Sequence, residues 1–240
     1  MADQWVALGE RLWASEPQWG QWGVPNVDAP LLPDDLSGQR AIELGCGTGY
    51  VSAWMVRRGA IVTAVDNSAN QLATCRRLQA EHNLDFATLH GNAETLPFAD
   101  ATFDFAISEY GAAIWADPHR WIPEAHRLLR PGSRLVFLGN SPIQMLCVPN
   151  DGSETTTRLQ RPYFGMHRFD WRSLEIDPGG VEFNLTISAW VGLFAKTGFT
   201  IEDYLELAAP AHAAGAPFGV SAEWAHSYPS EQVWILRKQK

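Results

Sequence analysis

Ala41-Ile42-Glu43-Leu44 runs into Gly45-Cys46-Gly47-Thr48-Gly49, an apolar strand pattern ending in three alternating glycines ahead of a helical stretch. Glycine has no Cβ, so such a turn can tighten and lay its backbone against a ligand that any side chain would exclude. The nicotinamide fingerprint Gly-x-Gly-x-x-Gly needs glycine in its sixth place; counted from Gly45, that place holds Tyr50. A second feature is Ala64-Val65-Asp66-Asn67, which puts a carboxylate where the next apolar run ends. An ionised carboxylate only accepts hydrogen bonds, so Asp66 can take both hydroxyl protons of a ribose diol. Nicotinamide enzymes make the same use of an acid, and capping a helix is its plainer role.

The stretch Gly91-Asn92-Ala93-Glu94-Thr95-Leu96-Pro97-Phe98 narrows the choice. With the glycine loop and Asp66 it resembles class I S-adenosylmethionine-dependent methyltransferases, whose motifs read Glu/Asp-x-Gly-x-Gly-x-Gly and Asp-Ala-Glu-x-Leu-Pro-Phe. Asn92 stands for the commoner Asp, and its amide oxygen can still accept a hydrogen bond. Asp100-Ala-Thr-Phe103-Asp104 and Leu128-Leu129-Arg130-Pro131-Gly132 continue the resemblance to about residue 140, with a weaker echo at Phe194–Phe199.

The resemblance implies that Glu43 orders the loop. It places the backbone of Gly45, Cys46, Gly47 and Gly49 against the methionine and ribose moieties, Asp66 and Asn67 at the ribose, Asn92, Ala93 and Glu94 at the adenine, and Ser108 and Glu109 beside them. The implied cofactor is S-adenosylmethionine, leaving S-adenosylhomocysteine as product, with no metal. The implied reaction is in-line transfer of the methyl group to a small-molecule acceptor. A regulatory protein that binds the cofactor without catalysis, and a nicotinamide oxidoreductase, are the alternatives. The second conflicts with Tyr50.

A sulfonium methyl is already activated, so the chemistry requires a general base only if the acceptor is protonated at working pH. No universal catalytic residue follows. Groups near the methyl should lie at the carboxyl ends of strands, which nominates Glu109, Tyr110, His119 and His167. Trp19, Trp22, Tyr110, Trp115, Tyr163, Phe164 and His167, with Trp171, could enclose a flat or cationic acceptor. His126 falls off the apolar stripe of its helix and is read as solvent-facing.

The elements that must position these residues alternate as in a doubly wound sheet. Strands are predicted over 41–44, 61–65, 86–89, 103–108, 134–138, 181–185, 199–207 and 232–237, and helices over 50–58, 68–82 and through Trp121 to Leu129 and Trp190 to Gly198. A first helix carries Trp5, Leu8, Leu12 and Trp13 on one face. The fold class expected is α/β: a Rossmann-like, seven-stranded, mostly parallel sheet with a C-terminal antiparallel strand, in a single domain. Residues 1–37 read as a helical and aromatic lid segment on a domain spanning 38–240. An insertion at about 140–180, rich in aromatics and in Pro142, Pro149, Pro162 and Pro178-Gly179-Gly180, lies over the sheet's carboxyl edge.

Composition agrees with an enzyme of this kind. Hydrophobic residues make up 46% and charged residues 19%, enough for a sizeable core. A net charge of -9 disfavours a nucleic-acid partner, whose phosphates need a basic surface. The pairs Arg57-Arg58 and Arg76-Arg77 read as solvated helix faces. Cys46, Cys75 and Cys147 lack metal or redox spacing, and no apolar run reaches the ~20 residues of a membrane helix. A cytoplasmic monomer or homodimer is the expectation.

Overall fold

The computed structural model describes residues 2–174 and 180–240, with side chains from Ala7 onward. The Trp5 side chain and Pro178-Gly179 lie outside the described residues. The chain opens with α1 (Ala2–Trp13) and a short hairpin of β1 (Gln18–Trp19) and β2 (Val24–Pro25). Then come β3 (Arg40–Leu44), α2 (Tyr50–Arg57), β4 (Ile61–Asp66), α3 (Ala69–His82), β5 (Ala87–His90), β6 (Phe103–Glu109), α4 (Gly111–Trp115), α5 (Pro118–Leu128) and β7 (Leu129–Asn140). The last part holds α6 (Pro142–Cys147), β8 (Arg168–Asp170), β9 (Val181–Phe183), α7 (Ile187–Thr197), β10 (Phe199–Leu207), α8 (Ala222–Ser227) and β11 (Glu231–Lys238).

Seven strands form one sheet in the order β10-β11-β7-β6-β3-β4-β5. Neighbouring strands from β7 to β5 pair in parallel, and β11 runs antiparallel between β7 and β10. The chain starts mid-sheet at β3, works outward to β5 and returns to β6. The order therefore reverses between β3 and β6, and a crevice opens at the carboxyl ends of those two strands, where open α/β sheets bind their ligands. Both faces are covered, which is why Ala41–Leu44 is continuously apolar apart from Glu43. On one face α1, α2 and α3 bury Trp13, Trp54 and Phe86; on the other α5 and α7 bury Trp121, Trp190 and Phe194 against Phe137.

Several expectations change. Val181–Phe183 pairs with Arg168–Asp170 in a separate antiparallel ribbon and does not join the main sheet. Pro142, read as loop punctuation, is the first residue of α6, where its missing N–H is no loss and Ser141 caps the helix. The insertion packs with residues 209–225 into a third core of Met145, Met166, Phe169, Trp171, Val220 and Trp224. His126 is half-buried, its ring edge-on to Phe199 at 5.0 Å between centroids, because β10 follows directly on α7 and packs there. Arg57 and Arg77 are not idle surface charges either: Arg57 donates to the Trp13 carbonyl at 2.7 Å and Arg77 pairs with Glu10 at 2.6 Å, tying α1 to α2 and α3.

Residues 8–36 share the main core. Trp13, Trp19, Leu31, Leu32 and Leu36 belong to the same buried cluster as Trp54 and Val136.

Candidate active site at the carboxyl edge of the sheet

The glycine loop leaves β3 and is held to β4. Gly45 and Cys46 N–H both donate to the Val65 carbonyl at 2.8 Å. Asp66 then closes the loop, its Oδ2 accepting from Gly47 N–H at 2.8 Å and its Oδ1 from Ser68 N–H at 2.7 Å. Burial raises the Asp66 carboxyl above its usual range, and these two donors oppose the rise. Beneath the loop, Glu43 Oε2 accepts from Ser52 N–H at 2.8 Å and Ser52 Oγ–H at 2.5 Å, anchoring the start of α2. Burial pushes the Glu43 carboxyl well up.

The glycines serve two different ends. A Cβ on Gly45 would lie 2.5 Å from the Ala112 nitrogen, and one on Gly49 would lie 2.5 Å from Cys75 Sγ, so packing alone demands both. A Cβ on Gly47 would meet nothing within 4 Å. Gly47, half-buried, is the member of the loop whose backbone faces free space, with φ of 53°. That open backbone beside Asp66 fits a nucleoside ligand, because each Asp66 oxygen spends one lone pair on the protein and keeps another.

The remaining predicted cofactor residues line the same edge with different degrees of freedom. Asn92 is exposed and its Oδ1 accepts from Glu94 N–H at 2.9 Å, leaving one lone pair. Ala93 is buried beside it. Glu94 turns away to receive Asp117 N–H at 3.0 Å and to pair with Arg120 at 3.0 Å. Asn67 is exposed, its carbonyl 3.0 Å from His90 Nε2. The Ser108 side chain is fully engaged, donating to the Leu44 carbonyl at 2.7 Å and accepting from Ala113 N–H at 3.1 Å. Its part is to join β6 to β3 and to start α4.

Glu109 ends β6 in a buried acidic cluster. Tyr50 O–H donates to Glu109 Oε2, and Gly20 N–H donates to Oε1 at 3.1 Å. Glu231, the first residue of β11, has an Oε1 that accepts from Tyr110 O–H at 2.5 Å and from Gln21 N–H at 2.8 Å. Because β11 is antiparallel, its beginning lies at the same edge as the ends of β6 and β7. Burial raises the Glu109 carboxyl and pushes Glu231 up to about 8, with the neighbouring Glu109 charge adding to the latter. Tyr110 holds a positive φ of 56° with ψ of -40°, outside the left-handed helical well, a backbone strain of the kind that clusters at functional sites. The β1–β2 hairpin sits directly on both acids, and Trp22 Nε1–H reaches Ser230 Oγ at 2.9 Å.

The other nominated residues do not converge there. His167 Nε2 lies 3.1 Å from Asp117 Oδ1, and the His119 ring is 5.3 Å from that of His167, so both histidines sit at the start of α5 beyond Glu94. Trp19 is wholly buried, edge-on to Trp54, and its Nε1–H donates to Asn26, which makes it a core residue. Trp115 lies under Gly180 of the insertion. The Tyr163 hydroxyl oxygen accepts from Ile187 N–H at 3.1 Å, Phe164 is 86% exposed, and Trp171 stacks on Phe169. Of the predicted acceptor-binding aromatics, Trp22 and Tyr110 alone border the acidic cluster.

Tyr50 and Glu231 were missed by sequence reasoning. The signal for Glu231 was its place at the head of an antiparallel last strand, and for Tyr50 its place directly after Gly49. A groove of about 820 Å³ lies elsewhere, between residues 25–34 and the sheet face at Phe105, Val136 and Ile235. Among the described residues no three His, Cys, Asp or Glu side chains are grouped to hold a metal ion, and no helix is long and apolar enough to cross a membrane.

Residues 42–137 match a family described as a methyltransferase domain. The chain is 38% identical over 183 residues to an uncharacterized methyltransferase of Mycobacterium tuberculosis, an alignment covering 71% of this chain and 68% of that protein. It is 36% identical over 124 residues to the chloroplastic 2-methyl-6-phytyl-1,4-hydroquinone methyltransferase 2 of Oryza sativa subsp. japonica, covering 50% of this chain and 35% of that enzyme. The match thus spans little more than a third of the plant enzyme's length. A solved S-adenosylmethionine-dependent methyltransferase from Mesorhizobium loti shares the fold, with a TM-score of 0.70 at 24% identity over 88% of this chain and 95% of that one.

Proposed function

Because this chain belongs to the class I S-adenosylmethionine-dependent methyltransferases, we propose that it transfers the sulfonium methyl group to a small-molecule acceptor at the edge formed by β3, β4, β6 and β11. The observation that carries the reading is the Gly47 backbone, open to free space and tied to Asp66 at 2.8 Å. S-adenosylmethionine, when bound, supplies a methyl group already activated for in-line displacement. The backbone of Gly45, Cys46, Gly47 and Gly49 receives the methionine and ribose portions, Asp66 and Asn67 the ribose hydroxyls, and Asn92 and Ala93 the adenine.

The protein's own contribution is positioning and exclusion of water. Orientation alone can supply roughly 7 to 11 kcal/mol of the barrier. Residues 1–37 and the insertion at about 140–180 serve as the cover over the acceptor, with Gly20 and Gln21 pinned to Glu109 and Glu231. A small acceptor is supported by the acidic chain, net charge -9, and by the hydroquinone named for the plant relative. Three buried cysteines without a disulfide support placement in the cytoplasm.

Calorimetric titration tests the reading. S-adenosylhomocysteine should bind and raise the melting temperature, as any ligand specific for the native state does, whereas NADH should do neither. Asp66→Ala should weaken S-adenosylhomocysteine by about tenfold or more, since each bond to an ionised carboxylate is worth roughly 1.5 to 3 kcal/mol. A shift with NADH alone, or unchanged affinity in folded Asp66→Ala, would sink the assignment.

A further inference from the structure

We infer that the methyl acceptor is a small amine, cationic in solution, whose nitrogen lies between Glu109 and Glu231, and that Glu231 takes its proton before transfer. This rests on the methyl-transfer reading and specifies its substrate.

The geometry points to a donor-rich cation. Glu109 is 8% exposed and Glu231 wholly buried, and no Lys, Arg or His among the described residues pairs with either. Arg161 is spent on the carbonyls of Met145 and Val148 and faces Glu182 instead. Both phenols, Tyr50 and Tyr110, already direct their hydroxyl protons at the two acids. What the cluster has left is acceptor capacity. Glu231 Oε2 is buried with no hydrogen-bond partner, and the buried Gln21 Nε2 on the covering hairpin has none either. An unpaired buried polar atom is costly, and a ligand that donates to Oε2 removes that cost.

A phenol brings one donor and a hydroquinone two, neither with any charge, leaving two facing carboxyls without a counter-charge. An ammonium group brings up to three donors and the missing charge. The groups that face Glu231 are Tyr110, Glu109 and, through Tyr50, the far side of Glu109, with Glu182 acting on Tyr110. All are acids or phenols, so nothing opposes the entry of a cation.

The proton inventory closes. The ammonium gives one proton to the Glu231 carboxylate and becomes a neutral amine. Its lone pair forms the bond to the methyl carbon as the carbon–sulfur bond breaks, that electron pair staying on sulfur. The products are a methylammonium and a neutral thioether. In the free protein Glu231, with its pKa of about 8, is about nine-tenths protonated at pH 7. Seating a cation beside it expels that proton to solvent, whereas a neutral ligand does not.

Benzylamine and benzyl alcohol, titrated calorimetrically into protein saturated with S-adenosylhomocysteine in phosphate and in Tris at pH 7, test this. Benzylamine should bind about tenfold tighter or more, with release of about 0.9 proton read from the buffer dependence of the heat. Glu231→Gln should lose both the preference and the proton release while keeping S-adenosylhomocysteine affinity within about twofold. Benzylamine binding no better than benzyl alcohol, or binding without proton release in the wild type, overturns the proposal. So does benzylamine binding only when S-adenosylhomocysteine is absent, since the acids would then serve the cofactor's own ammonium group. Should Glu231→Gln fail to fold, the wild-type proton release still decides. Absence of S-adenosylhomocysteine binding would refute the methyl-transfer reading itself.

Discussion

Glu231→Gln should flatten the dependence of stability on pH across the range in which the wild type loses stability as pH rises. In the unfolded chain Glu231 titrates near its ordinary 4.5, and in the native state near about 8. Between these values the native protein keeps a proton that the unfolded chain has released. The contribution is therefore complete below pH 4.5 and is lost as pH rises through about 8. At about 1.4 kcal/mol per pH unit for one proton, the separation sets an upper bound of roughly 5 kcal/mol, comparable with the whole stability of many domains. Water entering the site would reduce it. Burial also raises Glu43, Glu109 and Asp66, which act in the same direction, while the lowered His126 acts in the other; against that background the variant should remove one proton's worth of slope. Gln cannot ionise, yet its Oε1 can still accept from Tyr110 and Gln21. Urea unfolding followed by tryptophan fluorescence at steps from about pH 5 to 9 supplies the slopes. Equal slopes in the two proteins would refute the claim that Glu231 is buried without a counter-charge.

The loop glycines should separate by kind: Gly45→Ala should fail to fold stably, because its Cβ would meet the Ala112 nitrogen at 2.5 Å. Gly47→Ala should cost the fold only about 1 kcal/mol for its positive φ yet weaken S-adenosylhomocysteine severely, as denaturation and calorimetry would report. Deleting residues 1–22 should unfold the protein, since it removes the wholly buried Trp13 and Trp19, each worth about 3–5 kcal/mol; a truncated chain with native circular dichroism would contradict this.

Sequence reasoning reached the fold because its signals are local. The Gly45–Gly49 turn, the apolar strands and the helices between them each declare themselves within a dozen residues, and a βαβ succession leaves few ways to assemble. It failed where local punctuation has two meanings. Pro142 can end a loop or begin a helix, and Val181–Phe183 can join a large sheet or pair within an insertion. His119 and His167 were nominated for their chemistry and for their nearness to strand ends in sequence; the structure sets them together beside Asp117 at the start of α5.

What the chain alone determined is the family's motif order: residues 43–49, Asp66 and Asn92-Ala93 occur in an order and spacing that a strand–turn–helix geometry makes meaningful by itself. What only the tertiary structure decided is the acidic cluster. Glu231 lies 121 residues from Tyr110 and 210 from Gln21 along the chain. They meet because β11 inserts antiparallel between β7 and β10, which turns the start of the last strand to the edge where the parallel strands end. The raised carboxyls of Glu109 and Glu231 follow from that convergence and from the hairpin that shuts water out. Neither burial nor the absence of a neighbouring cation among the described residues is a property of any local stretch of sequence, so the chemistry of this edge appears only when the sheet is assembled.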